Sequence, residues 1–135
     1  ETGADGLIAA GEFIGRSNRW LAPIGIGAAD LDGDGRVEFA YIDRPHLAKT
    51  LRILRQDGKR LVPVAEFPGV TNHRIGEADI AGGIRDCGDG PEMVVASADW
   101  SVVMSVTYRG NAFSARTLGV HQGRSTFEDA MNCRL

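Results

Sequence analysis

One phrase occurs three times in this chain at a nearly constant interval. It reads ADGLIAAGEFIGRSNRW near the start, QDGKRLVPVAEFPGVTNHR in the middle and, more faintly, RGNAFSARTLGVHQGRS near the end. Asp5-Gly6 and Asp57-Gly58 are 52 positions apart, and Arg109-Gly110 lies another 52 beyond. Each copy is a glycine turn, an alternating segment and a glycine-containing exit. The stretches between copies also correspond. GAADLDGDGRVEFAYID lines up with GEADIAGGIRDCGDGPEMVVASAD: a short apolar approach to Ala-Asp, a Gly/Asp loop, a Glu, then a β-rich run. In that alignment the second loop is the longer and carries Cys87. A repeat of this length is one supersecondary unit that cannot bury its apolar face alone, so the units must stack.

Within a unit the period is that of strands. Trp100, Val102, Met104, Val106 and Tyr108 share one face, with Ser101, Ser105 and Thr107 on the other. Val37 to Ile42 and Met93 to Ala98 are nearly continuous apolar runs, as strands buried on both faces should be. Leu51 to Arg55 and Leu61 to Phe67 add two strands joined by the turn QDGK. Eighteen glycines without low complexity fit many tight turns. Around Ser125 to Asn132 a helical turn is expected, with Ser125 as its cap and Glu128 completing a capping box.

Four short strands per unit predict an all-β fold of four-stranded antiparallel blades, a β-propeller. Residues 1–19 then end a preceding blade, 20–70 form one blade, 71–120 a second, and 121–135 a C-terminal tail. That is about two blades plus strands of a third, whereas closed propellers have roughly four to eight. An incomplete propeller of this kind needs a protein partner, or N-terminal blades missing from the chain, to complete the ring. The start at Glu1, with the repeat phrase already under way, favours missing blades.

The segment Asp30 to Glu38 places carboxylates at alternating positions: Asp30, Asp32, Asp34 and Glu38. Gly33 and Gly35 let the backbone curl between them, and the Arg36 carbonyl falls at position 7 of the loop. Calcium takes six to eight oxygens in tolerant geometry, so such a coil can wrap Ca2+. Carboxylates crowded around nothing repel; a divalent ion reverses the sign. An EF-hand would place a bidentate Glu at position 12, where Tyr41 stands, and would have helical flanks; both tests fail.

GIGAADLDGDGRVEFAYI resembles the FG-GAP/VCBS repeat of integrin-like β-propellers, in which a strand ends in D-x-D-x-D-G and the next opens with an acidic residue. The resemblance is sharp over Ile24 to Asp43 and loose from about residue 20 to 120. It implies that the loop joins the first two strands of a blade and binds calcium through Asp30, Asp32, Asp34, Glu38 and the Arg36 carbonyl. Glu38 stands where the family more often has Asp. The second unit departs further: Asp79, Asp89-Gly90 and Glu92 remain without the alternation, and Asp86 and Asp89 are the residues that could meet a second ion there.

Cys87 and Cys133, 46 residues apart, belong to no metal-type spacing. Two buried thiols or one disulfide would each account for them. Their polar surroundings favour the disulfide, a covalent substitute for a metal clip in the second unit, and with it a periplasmic or secreted location. No apolar run approaches a membrane span. No basic stripe suggests nucleic acid. Nucleophile, zinc-protease and phosphate-loop motifs are absent, so an enzyme is not expected. His46, His73 and His121 read as loop or surface histidines, although a ligand site built from His73 and Arg74 with Asp79 is conceivable. Trp20, flanked by polar residues, is the better exposed aromatic, and Trp100 the better core residue. The expected function is a calcium-stabilised, exported binding or scaffold module. A lectin-like propeller holding a glycan on Trp20 is the alternative, and a propeller attached to a hydrolase a more distant one.

Overall fold

The computed structural model describes residues 24–44, 48–73 and 81–135 of the chain. Two antiparallel sheets and one short helix make up the described fold. The first sheet is a meander of β1 (Ile24–Ala29), β2 (Glu38–Asp43), β3 (Thr50–Asp57) and β4 (Arg60–Pro68), in that spatial order. The chain then adds β5 (Val70–Thr71) and β6 (Gly83–Asp86), both of which pair with β7 (Pro91–Ser97). From β7 the second meander continues through β8 (Val102–Arg109) and β9 (Ala112–Val120). Helix α1 (Arg124–Met131) follows.

The repeated glycine turn has a definite structural meaning. Gly58-Lys59 joins β3 to β4 and Gly110-Asn111 joins β8 to β9, each as a two-residue hairpin loop. Gly110 and Asn111 both adopt positive φ (58° and 61°), the condition of a type I′ turn whose twist matches its strands. The first copy of the phrase, with Trp20, lies outside the described residues, as do His46, Arg74 and Asp79. β4 carries Pro63 and Pro68, and it is an edge strand of its sheet, where a missing N–H costs no ladder bond.

The sheets stack with like strands over like. Gly27 of β1 approaches Ile84 of β6 so closely that a Cβ there would stand 3.0 Å from the Ile84 Cδ1. At the opposite edge, Phe67 of β4 meets Phe113 of β9 with ring centroids 5.3 Å apart. Between them lies one core: Leu31, Ala40, Ile42, Leu51 and Ile53 from the first sheet and its β1–β2 loop, with Val70, Met93, Val95, Val106 and Tyr108 from the second sheet. Full burial of each large aliphatic side chain stabilises by about 1.5–3 kcal/mol. A second, smaller core lies on the far side of the second sheet. There Val94, Ala96 and Val103 are covered by Phe127 and Ala130 of α1. Strand β7 thus lies between the two cores and is covered on both faces, which accounts for its unbroken burial from Glu92 to Ala96.

Three local expectations differ from the structure. Trp100 is not in strand register with Val102; it sits at φ 61° before β8 and packs instead on the second core, against Phe127 and His121. Ser105, placed by alternation on a polar face, is buried because that face lies beneath α1 and beside Glu92. Ser125 does not cap the helix. Gly123 is the N-cap with no side-chain bond, since the helix begins at Arg124 and leaves Ser125 inside its first turn. The Thr126 hydroxyl instead accepts the Gln122 N–H at 2.9 Å.

Candidate metal centre

The connection between β1 and β2 is the acidic loop, and it is fixed from below. Leu31 points into the shared core and is 1% exposed, so the coil cannot drift away from the sheets. On that anchor the carboxylates converge: one oxygen from each of Asp30, Asp32, Asp34 and Glu38 lies within 4.8 Å of all the others. Glu38 is fully buried, Asp30 and Asp32 half-buried, and Asp34 is at the open side.

Backbone donors shape the loop before any ion is considered. Asp30 Oδ1 accepts the Gly33 and Asp34 N–H groups at 2.9 and 3.1 Å, and Oδ2 accepts Gly35 N–H at 2.8 Å. Asp34 Oδ1 accepts Arg36 N–H at 2.8 Å, and that bond is the main reason its carboxyl is held below the ordinary aspartate range. Glu38 Oε1 accepts Leu31 N–H at 2.8 Å. Burial pushes the Glu38 carboxyl up, the nearby Asp32 adds to this, and the bonds from Leu31 and Arg55 oppose it without cancelling it. Like charges this close repel by about 1 kcal/mol per pair even at the dielectric constant of water.

Arg55, absent from the expected site, provides the nearest positive charge. β2 and β3 pair with Glu38 opposite Arg55. Its Nη2 is 2.9 Å from Asp32 Oδ2 and 3.9 Å from Asp34 Oδ2, and its Nε is 3.3 Å from Glu38 Oε2. The signal was present in the hairpin register, because two strands joined antiparallel bring residues distant in sequence face to face. Arg36, expected as a ligand through its carbonyl, is an exposed residue of the same loop. The flanks of the loop are strands, with Tyr41 inside β2, so the helix-flanked alternative is excluded structurally as well. The donor set is all oxygen, without His or Cys, and suits a hard divalent cation such as Ca2+.

In the second unit, the structural counterpart is built differently. By register, Ala29 opposite Glu38 corresponds to Arg85 opposite Glu92, so Asp86 is the counterpart of Asp30. The loop between β6 and β7 is therefore shorter than the first, not longer; aligning Asp79 with Asp30 shifted the frame. Asp86 Oδ1 accepts Gly88 and Gly90 N–H at 2.9 and 3.2 Å, while Asp89 stays exposed, and the two do not join an acidic cluster among the described residues. Glu92 Oε1 accepts from the Ser105 hydroxyl and from Arg85 and Arg116, each guanidinium at 3.2 Å. The Cys87–Cys133 disulfide forms as expected, with Cα atoms 5.8 Å apart.

Of the residues singled out for a ligand, only His73 falls among those described, half-buried just after β5. His121 packs its ring at 5.4 Å from Trp100 and 5.6 Å from Phe127, in the loop-packing role expected of it. No helix among the described residues is long and apolar enough to cross a membrane. The chain matches no protein-family model, no curated protein and no solved structure.

Proposed function

We propose that residues 30–38 form a calcium site that staples β1 to β2, in an exported FG-GAP/VCBS-like propeller segment acting as a binding or scaffold module rather than as an enzyme. The observation that carries the reading is the convergence of four carboxylate oxygens within 4.8 Å on a loop anchored by a buried leucine. Asp30, Asp32, Asp34 and Glu38 would hold the ion, with the Arg36 carbonyl as a further oxygen. Bound there, Ca2+ supplies the positive charge that lets the carboxylates crowd. The stacking of β1 on β6 and of β4 on β9 supports the propeller reading, since repeated blades pack in that order. Further blades, in this protein or from a protein partner, would complete the ring. The disulfide is compatible with a periplasmic or secreted location.

Thermal unfolding in calcium and in EDTA tests this. A ligand at 100 times its Kd stabilises by about 2.7 kcal/mol, a rise of roughly 10 °C in Tm for a domain of this size. Calcium should produce a rise of that order, and Asp32→Ala should remove most of it. Superimposed melts of the unaltered protein in the two solutions would end the metal reading.

A further inference from the structure

We propose that the Cys87–Cys133 disulfide is a reducible latch on α1: exchange with a dithiol lets the helix leave the second sheet and bares Val94, Ala96 and Val103. Both cysteines are exposed, so a reductant can reach the sulfurs. Cys133 stands two residues beyond α1, at φ 60°, with its N–H bonded to the Ala130 carbonyl at 3.0 Å. The bond therefore ties the C-terminal end of the helix directly to the loop between β6 and β7.

The helix has little of its own to hold it. It has eight residues, where isolated helices shorter than about 12–15 are marginal in water. Its N-cap is a glycine with no side-chain bond, its first turn contains no acidic residue and its last turn no basic one. Arg124 begins it while Glu128 and Asp129 lie in its second half, so its charges oppose the helix dipole. Phe127 and Ala130 are its buried apolar residues, and Arg85 adds bonds to the Ala130 and Leu135 main-chain oxygens at 2.6 and 2.9 Å. The disulfide closes a 46-residue separation and keeps this weakly encoded helix concentrated at its docking face.

The exchange balances. A thiolate of the dithiol attacks one sulfur of the disulfide and forms a mixed disulfide, and the expelled thiolate takes up a proton. The second thiol of the reagent then closes its own disulfide and releases the other cysteine as a thiol. Two electrons and two protons reach the protein, and the dithiol is oxidised.

Amide hydrogen exchange on the full chain, before and after dithiothreitol under native conditions, tests the latch, with alkylation and intact mass to count free thiols. Reduction should yield two alkylated thiols and accelerate exchange over residues 124–131 at least about tenfold, while β2, β3, β7 and β8 keep their protection. Cys133→Ser should show the same pattern without reductant; if that variant does not fold, the dithiol experiment stands alone. Unchanged protection of α1 after complete reduction would overturn the proposal. So would equal loss of protection across both sheets, or a disulfide that native dithiol does not reduce.

Discussion

Glu38 is the first residue of β2 and Glu92 the second of β7, and each buries a carboxylate that must be compensated. At Glu38 the compensation is shared with three aspartates and Arg55, leaving an excess of negative charge. At Glu92 two guanidiniums and a hydroxyl converge on one oxygen, and no further cation is called for. The carboxyls respond in opposite directions. Burial acts to raise Glu92 too, but the Ser105 hydroxyl, Arg85 and Arg116 outweigh it and hold Glu92 below the usual glutamate range. A folded-state value below the unfolded one contributes stability that is complete above the unfolded value, about 4.3. That contribution is lost as pH falls through the lowered folded value. Stability should therefore decline as pH falls from about 5 through the acid range. Glu92→Gln should be less stable at pH 7 yet show a shallower decline over that range. Urea titrations at several pH values read both; parallel curves for the two proteins would exclude Glu92 as a source of the acid sensitivity. Glu38, raised instead, contributes in the opposite sense in the absence of a cation: its share is present below the unfolded value and lost as pH rises through the folded one.

The units diverge most at the β1 edge of the first sheet and the β5 and β6 edge of the second. β1 runs along β2 with a register shift between Gly25 and Gly27, opposite Tyr41 and Ala40. In the second sheet β5 ends at Thr71 opposite Ala96, and pairing resumes at Gly83 opposite Val94. What is a one-residue irregularity in the first unit is, in the second, a break of eleven residues in sequence between two segments that pair with the same strand. Gly82 re-enters against the sheet, where an added Cβ would collide with the Val94 carbonyl, an atom of the central strand that cannot yield. Gly82→Ala should accordingly cost about 3 kcal/mol or more, from overpacking together with a side chain at φ 82°. A loss below about 1 kcal/mol in chemical denaturation would show that β6 can move away and that its position is softer than its packing implies. This break also explains why the strands were legible in the sequence and their correspondence was not. Val94 and Val95 or Ile53 and Leu54 announce strands by composition, and Gly58 and Gly110 announce hairpins by turn chemistry. Nothing local states that Asp86, rather than Asp79, is the partner in register of Asp30, because an insertion keeps the motif and shifts the frame. The acidic cluster was legible for the same local reason, as four carboxylates within nine residues. Arg55 and Arg85 were not, since each meets its carboxylate only through a cross-strand pair. Ser105 was misread because a two-residue period separates the faces of a strand without saying that α1 covers the second one.

Stacked repeats usually behave as units joined by interface terms, and here the interface is the main core. Leu31, Ile42, Leu51 and Ile53 face Met93, Val95, Val106 and Tyr108, so neither sheet keeps this apolar face dry without the other. The second core, by contrast, serves the second sheet and α1 alone. Loss of α1 therefore leaves the sheet-to-sheet contact intact, whereas a cavity between the sheets weakens both. The described molecule should unfold in a single transition in urea, with far-ultraviolet circular dichroism and hydrogen exchange in β3 and β8 reporting the same midpoint. Ile53→Ala and Val95→Ala place cavities on opposite sides of that contact. Each should cost about 2–4 kcal/mol and lower the common midpoint without splitting it. Because the two side chains share one cluster, the double variant should depart from the sum of the single costs by at least about 0.5 kcal/mol. Strict additivity, or a first sheet that melts while β8 remains protected, would mean that each meander is stable alone and that the shared core only docks them.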